Sequence, residues 1–489
     1  MLKKLAIVSF LLFLVSCGTV NTVSNDYDLL KQEIENKFTD TLFAHAHWGV
    51  LIKSLDTDEI WYERNSDKMF MPASNEKILT TSSALTKFGP DYKFKTILKY
   101  YGVIEDSALK GDLIVWGNGD PTFYTRLYDS PTTVFESFAD FLISKGIYII
   151  DGNLIGDDNA FDDQHIGNGW PLDGLSAWYF AEVGPLQVNE NYVDLEIIPP
   201  GDENSELEII PNLESKYYTI KNEIILSDTG KTRVYASRDF GTNEIVIKGN
   251  MAYGSKPRTI SPTITNPTKF YVTVLKETFE RKGIEITGKA VDCDDIENFE
   301  NKYAVLTELF VHNSKPLNEI IKVLMKKSQN VYAETYTRLL GWEEFGLGSF
   351  ENGRKVVQKQ LNKFGINEND FQYSDGSGLS RYNFVSPKQI VKILEGMKDT
   401  EYWQYWIDAL PVAGVDGTLK SRMKGTRAEG NVKAKTGTIA NVRGLSGYIT
   451  TESGENLVFS FLINGHLRTS KQTEQITDSV LELISNYSR

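Results

Sequence analysis

The chain has 489 residues, which suggests about three domains at roughly 150 residues each. Hydrophobic residues make up 41%, aromatics 12% and charged residues 24%, a balance that excludes disorder for the bulk of the chain. A formal net charge of −14 lacks the basic footprint of a nucleic-acid binder, and two cysteines allow at most one disulfide.

In chain order, Lys3 and Lys4 precede an apolar run from Leu5 to Val15 and the small residues Ser16-Cys17-Gly18. That run is too short to span a bilayer and reads as a secretory signal over residues 1–16. Leu14-Val15-Ser16-Cys17 resembles a bacterial lipobox, so Cys17 is expected to carry lipid, with the folded part extracytoplasmic, periplasmic or at the cell surface. Cys293 is then left alone. Residues 17–35 read as a tether, opening with the polar stretch Gly18–Asp28, and a short helical pattern covers Leu29–Lys37. Trp48–Ile52 and Ile60–Tyr62 are expected as strands, and Ser74–Phe88 as a helix closed by Gly89-Pro90. From 96 to 302 short β-rich runs alternate with turn clusters such as Gly117-Asn118-Gly119-Asp120-Pro121. Only Thr133–Lys145 and Pro267–Lys282 read as helices there. Helical periodicity returns with Leu317, Ile320, Ile321 and Leu324, and again with Val356, Val357 and Leu361. Ser386-Pro387-Lys388-Gln389 has the N-cap, N1 proline and capping-box glutamine of a helix start. Val432–Ile439, Arg443–Thr450 and Leu457–Asn464 then read as an antiparallel meander before a last helix. Residues 36–95 and 303–489 together have the size of one domain, and 96–302 reads as an inserted β-rich region of two nested domains.

Three short clusters can carry chemistry. Ser74-Asn75-Glu76-Lys77 puts a hydroxyl and an amine on one helical face. If that corner is buried, the amine loses its proton and can activate the hydroxyl, while the helix N-terminus favours an oxyanion. Lys327-Ser328-Gln329-Asn330 falls between two helical patterns, where a tight connection projects Ser328 and Asn330 to one side. In Lys435-Thr436-Gly437-Thr438, glycine inside a strand marks close approach of another backbone, and Lys435 supplies charge to an anionic group. An extended peptide can pair with such a strand at a sheet edge. Each cluster alone is ordinary: an N-cap serine, a helix junction, an edge lysine that blocks aggregation.

S-x-x-K, S-D-N and K-T-G together are the signature of penicillin-binding proteins and class A β-lactamases, and here they occur in order, with Gln329 in place of the aspartate. Met71–Lys77, Lys327–Glu334, Asp375–Arg381, Gly414–Leu419 and Lys435–Thr438 resemble the D-alanyl-D-alanine carboxypeptidase/endopeptidase family, the low-molecular-mass class C penicillin-binding proteins. Gly111-Asp112-Leu113, Gly117–Pro121 and Leu186–Asn191 resemble that family's extra domains. The resemblance implies an α/β (α+β) transpeptidase/β-lactamase-like fold, an antiparallel sheet flanked by helices, with inserted β-rich domains. It implies Ser74 as nucleophile, Lys77 as its base, Ser328 as proton shuttle and Asn330 as a ligand of the substrate peptide. Lys435, Thr436, Gly437 and Thr438 would hold the terminal D-Ala carboxylate, and the N–H groups of Ser74 and Thr438 would form the oxyanion hole. The implied partners are peptidoglycan stem peptides and, as covalent inhibitors, β-lactams, with no metal or other cofactor and with membrane contact only through Cys17. The middle residue of the second motif points away from substrate in the family, so Gln329 is expected to cost little.

A secreted β-lactamase would need a deacylating glutamate in E-x-x-L-N, and the nearest match, Gln358–Asn362, has glutamine there. A Ser-His-Asp hydrolase lacks G-x-S-x-G, and His45-x-His47 reads as alternate residues of an entering strand rather than a metal pair. A penicillin-binding sensor or wall-binding scaffold without turnover is the remaining alternative.

Overall fold

The computed structural model describes residues 23–228 and 230–488. The signal and the lipobox Cys17 lie outside the described residues. One five-stranded antiparallel sheet is built from both ends of the chain, in the order Lys433–Ile439, Val442–Thr450, Asn456–Asn464, His47–Ser54, Ile60–Arg64. Its central strands are apolar on both faces. Along Asn456–Asn464, Leu457, Phe459, Phe461 and Ile463 join one core while Val458 and Leu462 join the other. This period of two sandwiches the sheet between helices.

On one face lie the helices Val23–Phe38 and Ser470–Ser485, with Trp48, Val50, Ile52, Val480 and Ile484 in a shared core. The expected tether of residues 17–35 is therefore replaced from Val23 onward by helix. Leu30, Ile34 and Phe38, four residues apart, are buried against the sheet. The polar outer face of this helix, rich in Asn, Asp and Glu, hides that stripe from a reading of composition. On the other face stand Glu76–Phe88, Leu317–Lys327, Asn330–Phe345, Phe350–Asn362 and Pro387–Lys398. The last begins with Ser386 as N-cap, Pro387 at its first position and the reciprocal Gln389 bond of a capping box. Glu76–Phe88 is buried from Glu76 through Leu85, so it threads the centre of the domain. Gly89 ends it at φ 77°, a left-handed conformation that a side chain disfavours.

Between the two parts of the chain that build the five-stranded sheet, a seven-stranded mixed sheet with the helices Thr133–Ser144 and Pro267–Arg281 forms a second core. Two three-stranded sheets, from Leu195 to Ile260, extend it. The larger sheet includes Thr307–Asn313, which pairs antiparallel with Lys95–Glu105. The chain thus leaves the insert about ten residues later than the boundary expected at 302/303. That pairing joins residues some 200 apart, and nothing local to Thr307 marks it. Cys293 is buried and free.

The packing of the first helix is testable. Ile34→Ala should cost about 2–5 kcal/mol in denaturant unfolding, as for a core isoleucine. A variant as stable as the parent would mean that residues 23–35 do act as a tether.

Candidate active site

The first cluster sits at the entrance to the buried helix. Ala73–Asn75 form a single 3-10 turn, Ala73 taking the left-handed φ of 48°, before the α-helix begins at Glu76. Such a φ on a non-glycine residue is uncommon and marks a locally constrained turn. The turn leaves Ser74 half-buried and accessible, while Lys77 is fully buried. Lys77 Nζ lies 3.0 Å from Ser74 Oγ, 2.7 Å from Asn330 Oδ1 and 2.7 Å from the Ser377 carbonyl oxygen. Burial lowers its pKa to about 7 against the opposing pull of Glu334, Asp375 and Glu76. A neutral amine has two N–H groups and one lone pair. The two shorter contacts accept the N–H groups, and the lone pair is left for the Ser74 hydroxyl proton.

The second cluster is a helix junction. Leu317–Lys327 ends at Ser328, which adopts the left-handed φ of 60°; Gln329 is extended and Asn330 starts the next helix. This hairpin turns Ser328 and Asn330 into the same cleft. Asn330 Nδ2 donates to the Tyr179 carbonyl at 2.7 Å, and Lys435 Nζ donates to Ser328 Oγ at 2.8 Å. Gln329 is buried on the other side, its amide donating to Glu190, which also pairs with Arg126 at 2.6 Å. An amide donor suits that neighbour. An aspartate there would set two carboxylates together.

The third cluster lies on the outer strand of the five-stranded sheet, which pairs along its length with Val442–Thr450 and on its other side makes only an isolated bridge at its start, Lys433 with Val412. Lys435 is fully buried, and burial, with the charge of Lys77 adding to it, holds its pKa well below the ordinary lysine value. A substrate carboxylate beside it would favour the charged form again. Thr436 Oγ1 donates to Thr418 Oγ1 at 2.7 Å. A Cβ on Gly437 would fall 2.6 Å from the Pro72 carbonyl oxygen, so the strand packs directly against the turn that carries Ser74. Asn75 ties the same two elements. Its Nδ2 donates to the Lys435 carbonyl at 3.1 Å, and its Oδ1 accepts from Ser446 Oγ at 2.6 Å.

A cavity of about 680 Å³ opens over Ser74, Ser328, Asn330, Thr436 and Thr438. Asp173, Trp178 and Tyr179 from the insert and Arg381 from the loop after Asp375 line its other side. The structure thus gathers every site residue expected from the sequence within the described residues around one cleft. Lys77, Lys435 and Gly437 stand behind its wall. Motif reading missed Tyr179, Ser377 and Asn75. The first two act through backbone carbonyls, which no side-chain pattern records, whereas Asn75 sits inside the first motif. Gln358–Asn362, in the helix Phe350–Asn362, lie away from the cavity.

The Gly437 contact sets a clear expectation. Gly437→Ala must push the strand from the Ser74 turn, lowering the rate of Ser74 acylation by labelled penicillin about tenfold or more while the fold persists. Acylation at the parent rate would contradict this packing.

The model of the D-Ala-D-Ala carboxypeptidase 3 (S13) family matches residues 30–487. A D-alanyl-D-alanine carboxypeptidase of Actinomadura sp. (strain R39) is 30% identical over 455 residues, covering 89% of this chain and 81% of that protein. The crystal structure of penicillin-binding protein 4 from Haemophilus influenzae superposes with a TM-score of 0.80 at 26% identity, covering 93% of this chain and 99% of that one. A second structure of that protein, complexed with a β-lactam, gives 0.73 at 25% identity, covering 93% and 100%. The chain belongs to the D-Ala-D-Ala carboxypeptidase 3 (S13) family, with the penicillin-binding-protein fold.

Proposed function

We propose that Ser74 is the nucleophile of this serine-type DD-carboxypeptidase/endopeptidase and that Lys77 is its base. The observation that carries this reading is the contact of 3.0 Å between Ser74 Oγ and the amine of a fully buried lysine. As a family member the enzyme acts on peptidoglycan stem peptides outside the cytoplasm and is open to β-lactams. In the proposed sequence Ser74 Oγ attacks the carbonyl of the penultimate D-Ala as its proton passes to Lys77 Nζ. The oxyanion is held by the N–H groups of Ser74 and Thr438, with the helix N-terminus adding partial positive charge.

Asn330 would orient the peptide, and Lys435 with Thr436 and Thr438 would hold the terminal carboxylate. Ser328, which accepts from Lys435, would pass a proton to the departing amine. Breakage of the amide leaves an ester on Ser74, which water then hydrolyses. Gln358 offers no carboxylate for the deacylation of a class A β-lactamase, so turnover of penicillin is expected to be slow. The lipid anchor at Cys17 belongs to the same proposal and rests on the lipobox alone.

Two measurements test the reading. Mass mapping after labelled penicillin should place one adduct on Ser74, and the protein should release D-Ala from pentapeptide muropeptides whereas Ser74→Ala should not. A folded protein without the adduct would sink the nucleophile assignment, and an adduct without D-Ala release would favour a sensor. Separately, Cys17→Ser should move the protein from the membrane fraction to the soluble one. Retention in the membrane would contradict the anchor.

A further inference from the structure

One buried carboxylate in contact with the wall of the site has no part in the steps above. Glu334 lies one helical turn beyond Asn330 on Asn330–Phe345, on the same helix face, and is fully buried. Its Oε2 accepts the Gly376 N–H at 3.0 Å and its Oε1 accepts the Ser377 N–H at 2.8 Å. The carbonyl of that same Ser377 accepts from Lys77 Nζ at 2.7 Å. Two N–H groups converging on two different oxygens suit a carboxylate, since a glutamine would turn an N–H₂ toward one of the donors. From the other side, Thr80 Oγ1 donates to the Gly376 carbonyl at 2.7 Å, so the turn is gripped between two buried helices.

We propose that Glu334 is a positioning residue for the base, clamping the Gly376-Ser377 turn so that the Ser377 carbonyl holds the Lys77 amine against Ser74. The inference rests on the Ser74–Lys77 reading above. Four charged or titratable groups bear on Lys77: Glu76 beside it, Glu334 from the neighbouring helix, Asp375 from the loop and Lys435 from the edge strand. Glu76 is fully buried with neither carboxylate oxygen hydrogen-bonded, and burial pushes its pKa well up. Asp375 is committed to the N–H groups of Gly378 and Ser380, to Asn383 and to Trp170. Burial, with Asp375 adding to it, raises Glu334 to about 8, and the charge on its ionised form favours the protonated Lys77 amine.

The test is the pH profile of Ser74 acylation by labelled penicillin in the full chain. Acylation needs neutral Lys77 and therefore rises with pH. Glu334→Gln removes the ionised fraction of a carboxylate that favours the protonated amine, so the rising limb should move to lower pH by a fraction of a pH unit. The plateau should fall as the turn loses a partner. Glu334→Asp keeps the charge but shortens the arm, so its limb should stay in place with a lowered plateau. A purely structural role would lower the plateau of both variants and move neither limb. An unmoved limb in folded Glu334→Gln overturns the proposal. If that variant does not fold, Glu334→Asp decides: a plateau lowered while the unfolding stability stays at the parent value supports the clamp, and a wild-type plateau, or one lowered only together with stability, overturns it. Absence of the Ser74 adduct in the wild type would instead be a failure of the parent reading.

Discussion

Removing an ammonium group from water is costly, and a fully buried lysine answers that cost by giving up its proton. This constraint organises the site. Lys77 is enclosed by its own helix, by Asn330 some 253 residues downstream and by Ser377 some 300 residues downstream. The last two contacts exist only once the domain is assembled, so it is folding that lowers the pKa of the amine. The same enclosure lowers its pKa to about 7, and the two acceptors of its N–H groups leave the lone pair to the one partly accessible of these neighbours, Ser74. Lys435, buried close by, feels the same desolvation and is tied to Ser328, so the two halves of the cleft are built on one device.

The topology serves that enclosure. The turn that carries Ser74 is locked to the edge strand by the glycine contact at Gly437 and by Asn75, so the two walls of the cleft cannot drift apart independently. The insert is not a remote appendage. It supplies the Tyr179 carbonyl that fixes Asn330, the Glu190 carboxylate that receives Gln329, and the Asp173–Tyr179 side of the cavity. Exposed Leu172 and half-exposed Trp178 and Tyr179 stand at that side, where a peptide chain would pass. A long insertion between two parts of one sheet is thereby coupled to the orientation of a single amide side chain.

Much of this was legible in the sequence where the signal is local. The capping box at Ser386, the meander after Val432 and the three motifs each lie within a few residues, and the expected elements appear there with shifts of only a residue or two. Resemblance to a family, rather than periodicity, joined the motifs into one site. What stayed hidden is non-local or carried by the backbone. The pairing of Thr307–Asn313 with Lys95–Glu105 has no signature near either strand. The buried stripe Leu30-Ile34-Phe38 lies in a stretch whose composition resembles a linker. Carbonyls of Tyr179 and Ser377 could belong to any residue type. Glu334 and Ser377 lie within segments that carry the family resemblance, yet nothing in the sequence says that one accepts the other's N–H.

The central claim is that the fold, by burying Lys77, brings its amine to the loss of its proton near neutral pH. Its Cε carbon resonance, followed against pH in protein labelled at lysine and assigned by its loss in Lys77→Arg, reports the protonation state directly. The account requires a midpoint near pH 7. A midpoint at the ordinary lysine value of about 10.4 would contradict it.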